Sequence, residues 1–283
     1  MRVTVLTSNQ PRHIALLEAI SAVADRVFAI QECNTIFPGQ VDDFFRKSPV
    51  MRDYFSRVLD AERRQFGAAR FPPANVSQLA IRMGDLSRLR TDVPAEALEA
   101  DVFVVFGASY IRGPLAELLV ERRAVNIHMG VSPFYRGSST NFWALADGRP
   151  EYVGATIHRL TTGLDSGPIL WHAFPAAEAT EPFDLGMRAV QAAHDSLVAV
   201  IERGDLLSLE PVAQDRTLEV RYTRNSDFTD AVAGEYLDRL STPAEIATAL
   251  GSRDIGQFIR PVIGEASALQ RVWAPAVAKA HSG

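Results

Sequence analysis

Cysteine is all but missing. Cys33 is the only one in 283 residues, so neither an intramolecular disulfide nor a multi-cysteine metal site can form, and no metal is expected. Lysine is nearly as scarce: Lys47 and Lys279 are the only two, and the other 27 basic residues are arginine, a skew that reads first as GC-rich coding. Long apolar runs are absent as well. The longest uninterrupted ones have five residues, as in Val102 to Phe106 and Leu197 to Ile201, against about 20 for a membrane-spanning helix, so no membrane partner is expected. The chain passes from Arg2 straight into an alternating apolar pattern, without the roughly 7–15 apolar residues of a signal peptide, and a cytoplasmic location is the simplest expectation. Positive charge is in deficit, 29 basic against 34 acidic residues, whereas binding to phosphate backbones rests on clustered lysine and arginine; bulk charge therefore predicts no nucleic-acid partner. No Gly-x-Gly-x-x-Gly or Walker pattern occurs, so neither a dinucleotide nor an ATP site has support.

What the chain does have is an ordinary globular balance, 47% hydrophobic and 22% charged, enough for a substantial core. Its length allows one large domain or one medium domain with an appendage. Near the start, Val3 and Val5 alternate, Ser8 and Asn9 are placed to cap, Pro11 suits a first helical turn, and Ile14, Leu17, Ile20 and Ala24 recur at helical spacing before a second strand at Val27 to Ile30. This strand, helix, strand opening predicts an α/β doubly wound sheet with a ligand beyond the carboxyl ends of the strands. From about 39 to 67, aromatic and arginine residues at helical intervals predict a helical insertion, ended by Phe71-Pro72-Pro73. Further along, a strand near Leu79, a helix around Ala95 to Ala100, a buried strand at Val102 to Phe106, a helix at Leu115 to Val120 and a strand at Ala124 to His128 follow. Two strands at Tyr152 to Leu160 and Ile169 to Phe174 flank a glycine-rich loop, and a helix spans Pro182 to Arg203. A polar strand-like Leu218 to Tyr222 and two short helical patterns complete a small tail. The expected division is a catalytic domain over 1–208 and a small C-terminal extension over 209–283.

The segment from Asn126 to Pro168 carries the chemistry. Asn126 and His128 lie two apart at a strand end, so their side chains share a face; such a pair supplies a donor for a developing oxyanion and a proton shuttle near neutral pH, although either can equally be an ordinary strand-end polar residue. Asp165 lies in Gly163-Leu164-Asp165-Ser166-Gly167-Pro168, which by itself is a tight turn whose aspartate bonds its own backbone; near His128 it would fix the imidazole tautomer and favour the imidazolium. His158, on a half-buried strand, reads as a packing residue, and Phe142 and Trp143 as core. Ser8, Asn9 and Arg12 gather at the first strand-to-helix turn, where capping and acceptor binding are both open. Between Arg46 and Arg70 seven basic residues outnumber three acidic ones, fitting either an anionic ligand or a solvated helix face.

Three ordered elements, Asn126-Ile127-His128, Tyr135-Arg136-Gly137 and Gly163-Leu164-Asp165-Ser166-Gly167-Pro168, resemble the signature region of the folate-dependent formyltransferase family, clearly over about 102–203 and loosely over 1–101. The resemblance implies a Rossmann-like mixed sheet and the transfer of a formyl group from 10-formyltetrahydrofolate to an amine. It implies His128 as acid/base, Asn126 as the group that stabilises a tetrahedral oxyanion, and Asp165 as the residue that orients His128. The folate slot would draw on Phe106, Gly107, Tyr110 and Ile111, on Gly130, Val131, Ser132 and Pro133, and on Thr161, Thr162, Gly163 and Leu164, with Ser8, Asn9 and Arg12 toward the acceptor. Relatives commonly follow the histidine with Ser-Leu-Leu-Pro, whereas here Met129-Gly130-Val131-Ser132 precedes Pro133. Family members acting on tRNA carry a C-terminal oligonucleotide-binding barrel, which the short helical tail does not resemble, so the expected acceptor is a small-molecule amine. A nucleotide-linked amino sugar comes first and a modified amino acid such as hydroxyornithine second. A 10-formyltetrahydrofolate hydrolase and a catalytically inactive folate-binding protein are the competing functions; a homodimer through the C-terminal extension is a further expectation.

Overall fold

The computed structural model describes residues 1–33 and 48–264. The first part of the expected 39–67 insertion, with Arg46 and Lys47, and the tail beyond 264 lie outside the described residues. The opening forms as expected: β1 (Arg2–Ser8), α1 (Pro11–Ser21) and β2 (Arg26–Cys33) make a parallel unit in which every β1 residue pairs with β2. Two local details differ. The helix is capped at Gln10, because the Ser8 hydroxyl instead donates to the Glu32 carbonyl on β2 at 3.1 Å, and α1 stops at Ser21, leaving Ala24 in the turn.

The insertion contributes α2 (Pro49–Phe66), whose first turn is capped by the Ser48 hydroxyl accepting from the Met51 N–H at 3.1 Å. Gly67, at φ 75°, ends it in a backbone region that side chains disfavour. After β3 (Val76–Arg82), the helix expected at Ala95 to Ala100 is only a 3₁₀ turn over Ala97–Glu99; the Ala97 carbonyl accepts from the Thr4 hydroxyl on β1, so the segment is pinned to the sheet before another turn forms. Next come β4 (Val102–Phe106), α3 (Pro114–Glu121), β5 (Val125–His128), the short β6 (Tyr135–Gly137), α4 (Thr140–Ala146), β7 (Ala155–Arg159), β8 (Ile169–Phe174) and α5 (Pro182–Glu202). The expected strand at Leu218 to Tyr222 is shorter and shifted: residues 216–218 form a 3₁₀ turn, and β9 (Arg221–Thr223) pairs with β6.

The main sheet has the order β10-β8-β7-β5-β4-β1-β2-β3, where β10 is Val262–Ile263. Strands β1 to β5 are parallel, and β7 runs antiparallel between β5 and β8. The chain steps outward through β2 and β3 and then returns to the other side of β1 as β4. That reversal is a topological switch point, where open α/β sheets leave a crevice beyond the strand ends. Apolar residues of α1, α2 and α5 cover one sheet face, and Leu115, Ala116 and Leu119 of α3 help cover the other. A second core gathers Phe134, Tyr135, Phe142 and Trp143 with Tyr236 of α6 (Asp230–Asp238) and Ile246 and Leu250 of α7 (Pro243–Gly251). The C-terminal extension thus adds a strand to the sheet and helices to this core. Among the described residues no helix is long and apolar enough to cross a membrane.

Candidate active site

Strand alternation fixes which side chains reach the crevice. On β5, Val125 and Ile127 face the α1/α5 core, so Asn126 and His128 turn to the opposite face. The loop after β7 brings Asp165 onto them. Asn126 Nδ2 donates to Asp165 Oδ1 at 3.2 Å, and His128 Nδ1 stands 3.5 Å from Asp165 Oδ2. The three residues singled out from the sequence are therefore one cluster. Asp165 takes a positive φ of 43°, a strained conformation of the kind that collects at functional sites, and the Gln214 amide ties its carbonyl down at 2.9 Å.

A fourth member was missed. His158 Nε2 lies 3.0 Å from Asn126 Nδ2 and 3.8 Å from Asp165 Oδ1. Its Nδ1 is 2.8 Å from the Arg159 carbonyl, which can only accept, so Nδ1 carries the proton and Nε2 accepts from the Asn126 amide. The antiparallel β5–β7 register sets His158 directly opposite Asn126, where cross-strand side chains share a face within contact distance.

The electrostatics oppose burial to charge. His128 is buried, and loss of hydration pushes its imidazole below the ordinary value, against the raising effect of Asp165; the carboxylate does not bring the net rise that it would produce alone. For Asp165, burial raises the carboxyl, but His128, His158 and Arg136 outweigh it and hold it below the ordinary carboxylate range. His128 Nε2 faces the Thr140 hydroxyl at 3.5 Å, and Thr140 donates onward to the Met129 carbonyl.

Asn126, His158 and Asp165 end a slot walled by Val105, Tyr110, Ile111, Leu160 and Leu164, with Thr161 and Gly163 on its rim. The Tyr110 hydroxyl donates to the Thr162 carbonyl and bridges its two walls. Of the remaining residues expected there, Phe106 points the other way, 4.8 Å from the His13 ring and 5.2 Å from that of His194; with the strand period of two, Val105 takes its place. Gly107 sits under His13, leaving no room for a Cβ, and Gly130 likewise under Thr140. Val131 is in the second core. Ser132 is buried, with its N–H on Thr156 and its carbonyl accepting from His172, and it precedes Pro133 through a cis peptide bond. That loop is framework beside the slot. At the first turn, Ser8 is buried, Asn9 is exposed, and Arg12 pairs with buried Glu62 at 2.9 Å.

Glu32, at the carboxyl end of β2, was also missed. Its buried carboxylate accepts from the Gly84 N–H at 2.7 Å, the Ser109 N–H at 2.6 Å and the Ser109 hydroxyl at 2.8 Å, holding the loop that carries Tyr110. Nothing in the local sequence separates it from a solvated strand-end acid.

The chain is similar to known proteins over the region that holds this cluster. A family model described as Formyl transferase matches residues 70–201. A methionyl-tRNA formyltransferase of Synechococcus sp. is 31% identical over 51% of this chain and 47% of its own, and a second Synechococcus one is 34% identical over 45% and 41%. The chain spans about half the length of the curated relatives it matches. A 4-N formyltransferase from Francisella tularensis shares the fold at a TM-score of 0.50 and 16% identity, covering 88% of this chain and 86% of that one. The stretch similar to formyl transferases, residues 70–201, includes Asn126, His128 and Asp165.

Proposed function

We propose that the chain transfers a formyl group from 10-formyltetrahydrofolate to the amine of a small molecule. The observation that carries this reading is the meeting of His128 with Asp165, which together with Asn126 and His158 ends the slot. The slot is narrow, about 60 Å³, and its chemistry suits the edge of a flat heteroaromatic ring: Val105, Tyr110, Ile111 and Leu164 offer apolar contact, and the backbone of Thr161 to Leu164 offers hydrogen bonds. When bound, the folate supplies an activated formyl group. The residues supply the rest. His128, kept below its ordinary pKa by burial, is neutral near pH 7 and can take the proton that the amine loses on gaining the formyl group. Asp165 stabilises the imidazolium so formed and holds Nδ1 toward itself, and the proton returns to the departing nitrogen, so one N–H is exchanged for another. The Asn126 amide, whose two hydrogens are directed at His158 Nε2 and Asp165 Oδ1, would have to turn one of them to the negative charge developing on the formyl oxygen.

Of the acceptors that the resemblance implies, a nucleotide-linked amino sugar leaned on the basic stretch from Arg46 to Arg70. Several of its arginines are paired within the fold: Arg57 with Asp53, Arg64 with Asp184 and Arg70 with Glu18. They leave less free charge for a diphosphate than the composition suggested. The test is release of tetrahydrofolate from 10-formyltetrahydrofolate. Release that needs an added amine, and that falls by about 10²-fold or more in a folded His128→Ala variant, is the expected result. Equal release without amine makes the protein a hydrolase, formylation of methionyl-tRNA in preference to small amines removes the small-molecule acceptor, and full activity in His128→Ala removes the catalytic assignment.

A further inference from the structure

A second cavity, of about 310 Å³, opens where β5 ends. Met129, next to His128, lines it, as do Ser139 and Asn141 on either side of Thr140, the residue that faces His128 Nε2. The slot described above is lined by Asp165, the partner of His128 Nδ1, so the two cavities are lined by neighbours of different nitrogens of the imidazole.

The walls are apolar and aromatic. Tyr54 and Val58 come from α2, Phe142 and Leu145 from α4, Phe183, Met187 and Val190 from α5, and Tyr236 from α6. The Tyr54 ring stands 5.3 Å from Phe183 and 5.7 Å from Phe142, edge on. The lining has one charged side chain, Arg12, already paired with Glu62, and the Asn141 amide is spent on both polar groups of the Gly154 backbone. What remains for a ligand is the exposed Ser139 and a pair of phenols. Tyr54 and Tyr236 are close enough for one to affect the other's ionisation, both are held protonated by burial, and neither hydroxyl has a hydrogen-bond partner among the described residues. Neither is among the fully buried polar atoms left without a partner; both residues line the cavity, where a ligand oxygen can meet them. A further sign is Gly186, the fifth residue of α5: a Cβ added there meets nothing within 4 Å. Glycine weakens a helix interior, and here its missing side chain keeps the cavity open.

We infer that this cavity binds the acceptor, and that the acceptor is a phosphate-free primary amine with an apolar body and one neutral oxygen for the Tyr54 and Tyr236 hydroxyls. The inference rests on the proposed formyl transfer for its reaction. A diphosphate or an amino-acid zwitterion would enter the apolar lining with its charges unpaired, whereas an alkyl or aryl amine buries its body and presents its nitrogen toward His128.

The test uses the full chain with 10-formyltetrahydrofolate and four amines: tyramine, leucinol, N5-hydroxyornithine and a thymidine-diphosphate-linked amino sugar. Tyramine or leucinol is expected to show a KM at least ten-fold below the other two. Gly186→Leu, whose side chain enters the cavity, is expected to raise that KM ten-fold or more with folate affinity unchanged and no fall in melting temperature. Tyr236→Phe should raise it several-fold with kcat nearly preserved. A lower KM for the sugar nucleotide or hydroxyornithine, an unchanged KM in Gly186→Leu, or no product from tyramine and leucinol while folate still binds, each overturns the acceptor assignment. Loss of folate binding together with no turnover of any amine is a different result, the failure of the formyl-transfer reading itself.

Discussion

The Asn126 amide has two hydrogens, one directed at His158 Nε2 and the other at Asp165 Oδ1. The carboxylate therefore binds Asn126 and His128 together, and charge is what keeps them in place. Asp165→Asn keeps the shape and removes that charge. We expect kcat to fall by about 10²-fold, within the range of general acid/base effects, with folate affinity changed much less. The pH dependence provides a second readout. Burial already lowers the His128 pKa and Asp165 opposes that shift, so the acid limb of kcat/KM should lie below the ordinary imidazole value and move lower still in Asp165→Asn. A limb that moves upward, or KM rising with kcat intact, would make Asp165 a loop-shaping residue. Asn126, His128 and Asp165 were legible because strand alternation and the order of three short motifs point to them. His158 was not: it meets Asn126 because β7 runs antiparallel to β5 and sets the two residues directly opposite each other, and which strand lies beside another, in which register, leaves no mark in the run Ala155 to Arg159.

At the scale of elements, the sequence predicts strands and long helices well where apolar period and length agree, as in β4 and α5. It misplaces what depends on a neighbour. Phe106 was expected on the slot because the family resemblance implied it, but the side chain that counts is set by the sheet face, and Val105 holds it. The Glu32 carboxylate shows the same dependence, since its three donors come from Gly84 and Ser109, far along the chain. Glu32→Ala would strand these donors at a cost of about 1–3 kcal/mol for each that stays buried, and would free the loop bearing Tyr110 from β2. The expected outcome is a fall in thermal stability and a roughly ten-fold or greater weakening of folate binding, as ordering the loop becomes part of binding. Glu32→Gln, which keeps an acceptor oxygen, should recover part of both. Unchanged folate affinity in Glu32→Ala, measured by calorimetry, would show that the loop is held by other contacts.

For the molecule as a whole, buried histidines govern its response to acid. Burial pushes His13 down to about 2, His194 to about 3 and His172 to about 4, so all three stay neutral in the folded chain at pH 5 while the unfolded chain protonates them near 6.5. Their contribution to stability is complete above that unfolded value and is lost as pH falls toward the folded values. Denaturant unfolding should therefore show stability falling between pH 6.5 and 5, with uptake of about three protons per molecule at pH 5 from these groups. A flat profile over that range would mean that these rings titrate normally. His172 also joins distant parts of the chain, since its Nε2 donates to the Ser132 carbonyl and its Nδ1 accepts from the Ile259 N–H. Just beyond Ile259, the two residues of β10 pair with the outer side of β8. During synthesis β8 leaves the ribosome nearly ninety residues before that cover does. Through that interval the uncharged sequence Ile-Leu-Trp-His-Ala-Phe has an open flank of the kind that recruits other strands, bridged only at Ile169 once Val212 is made, so the nascent chain is exposed to mispairing along β8 until β10 follows.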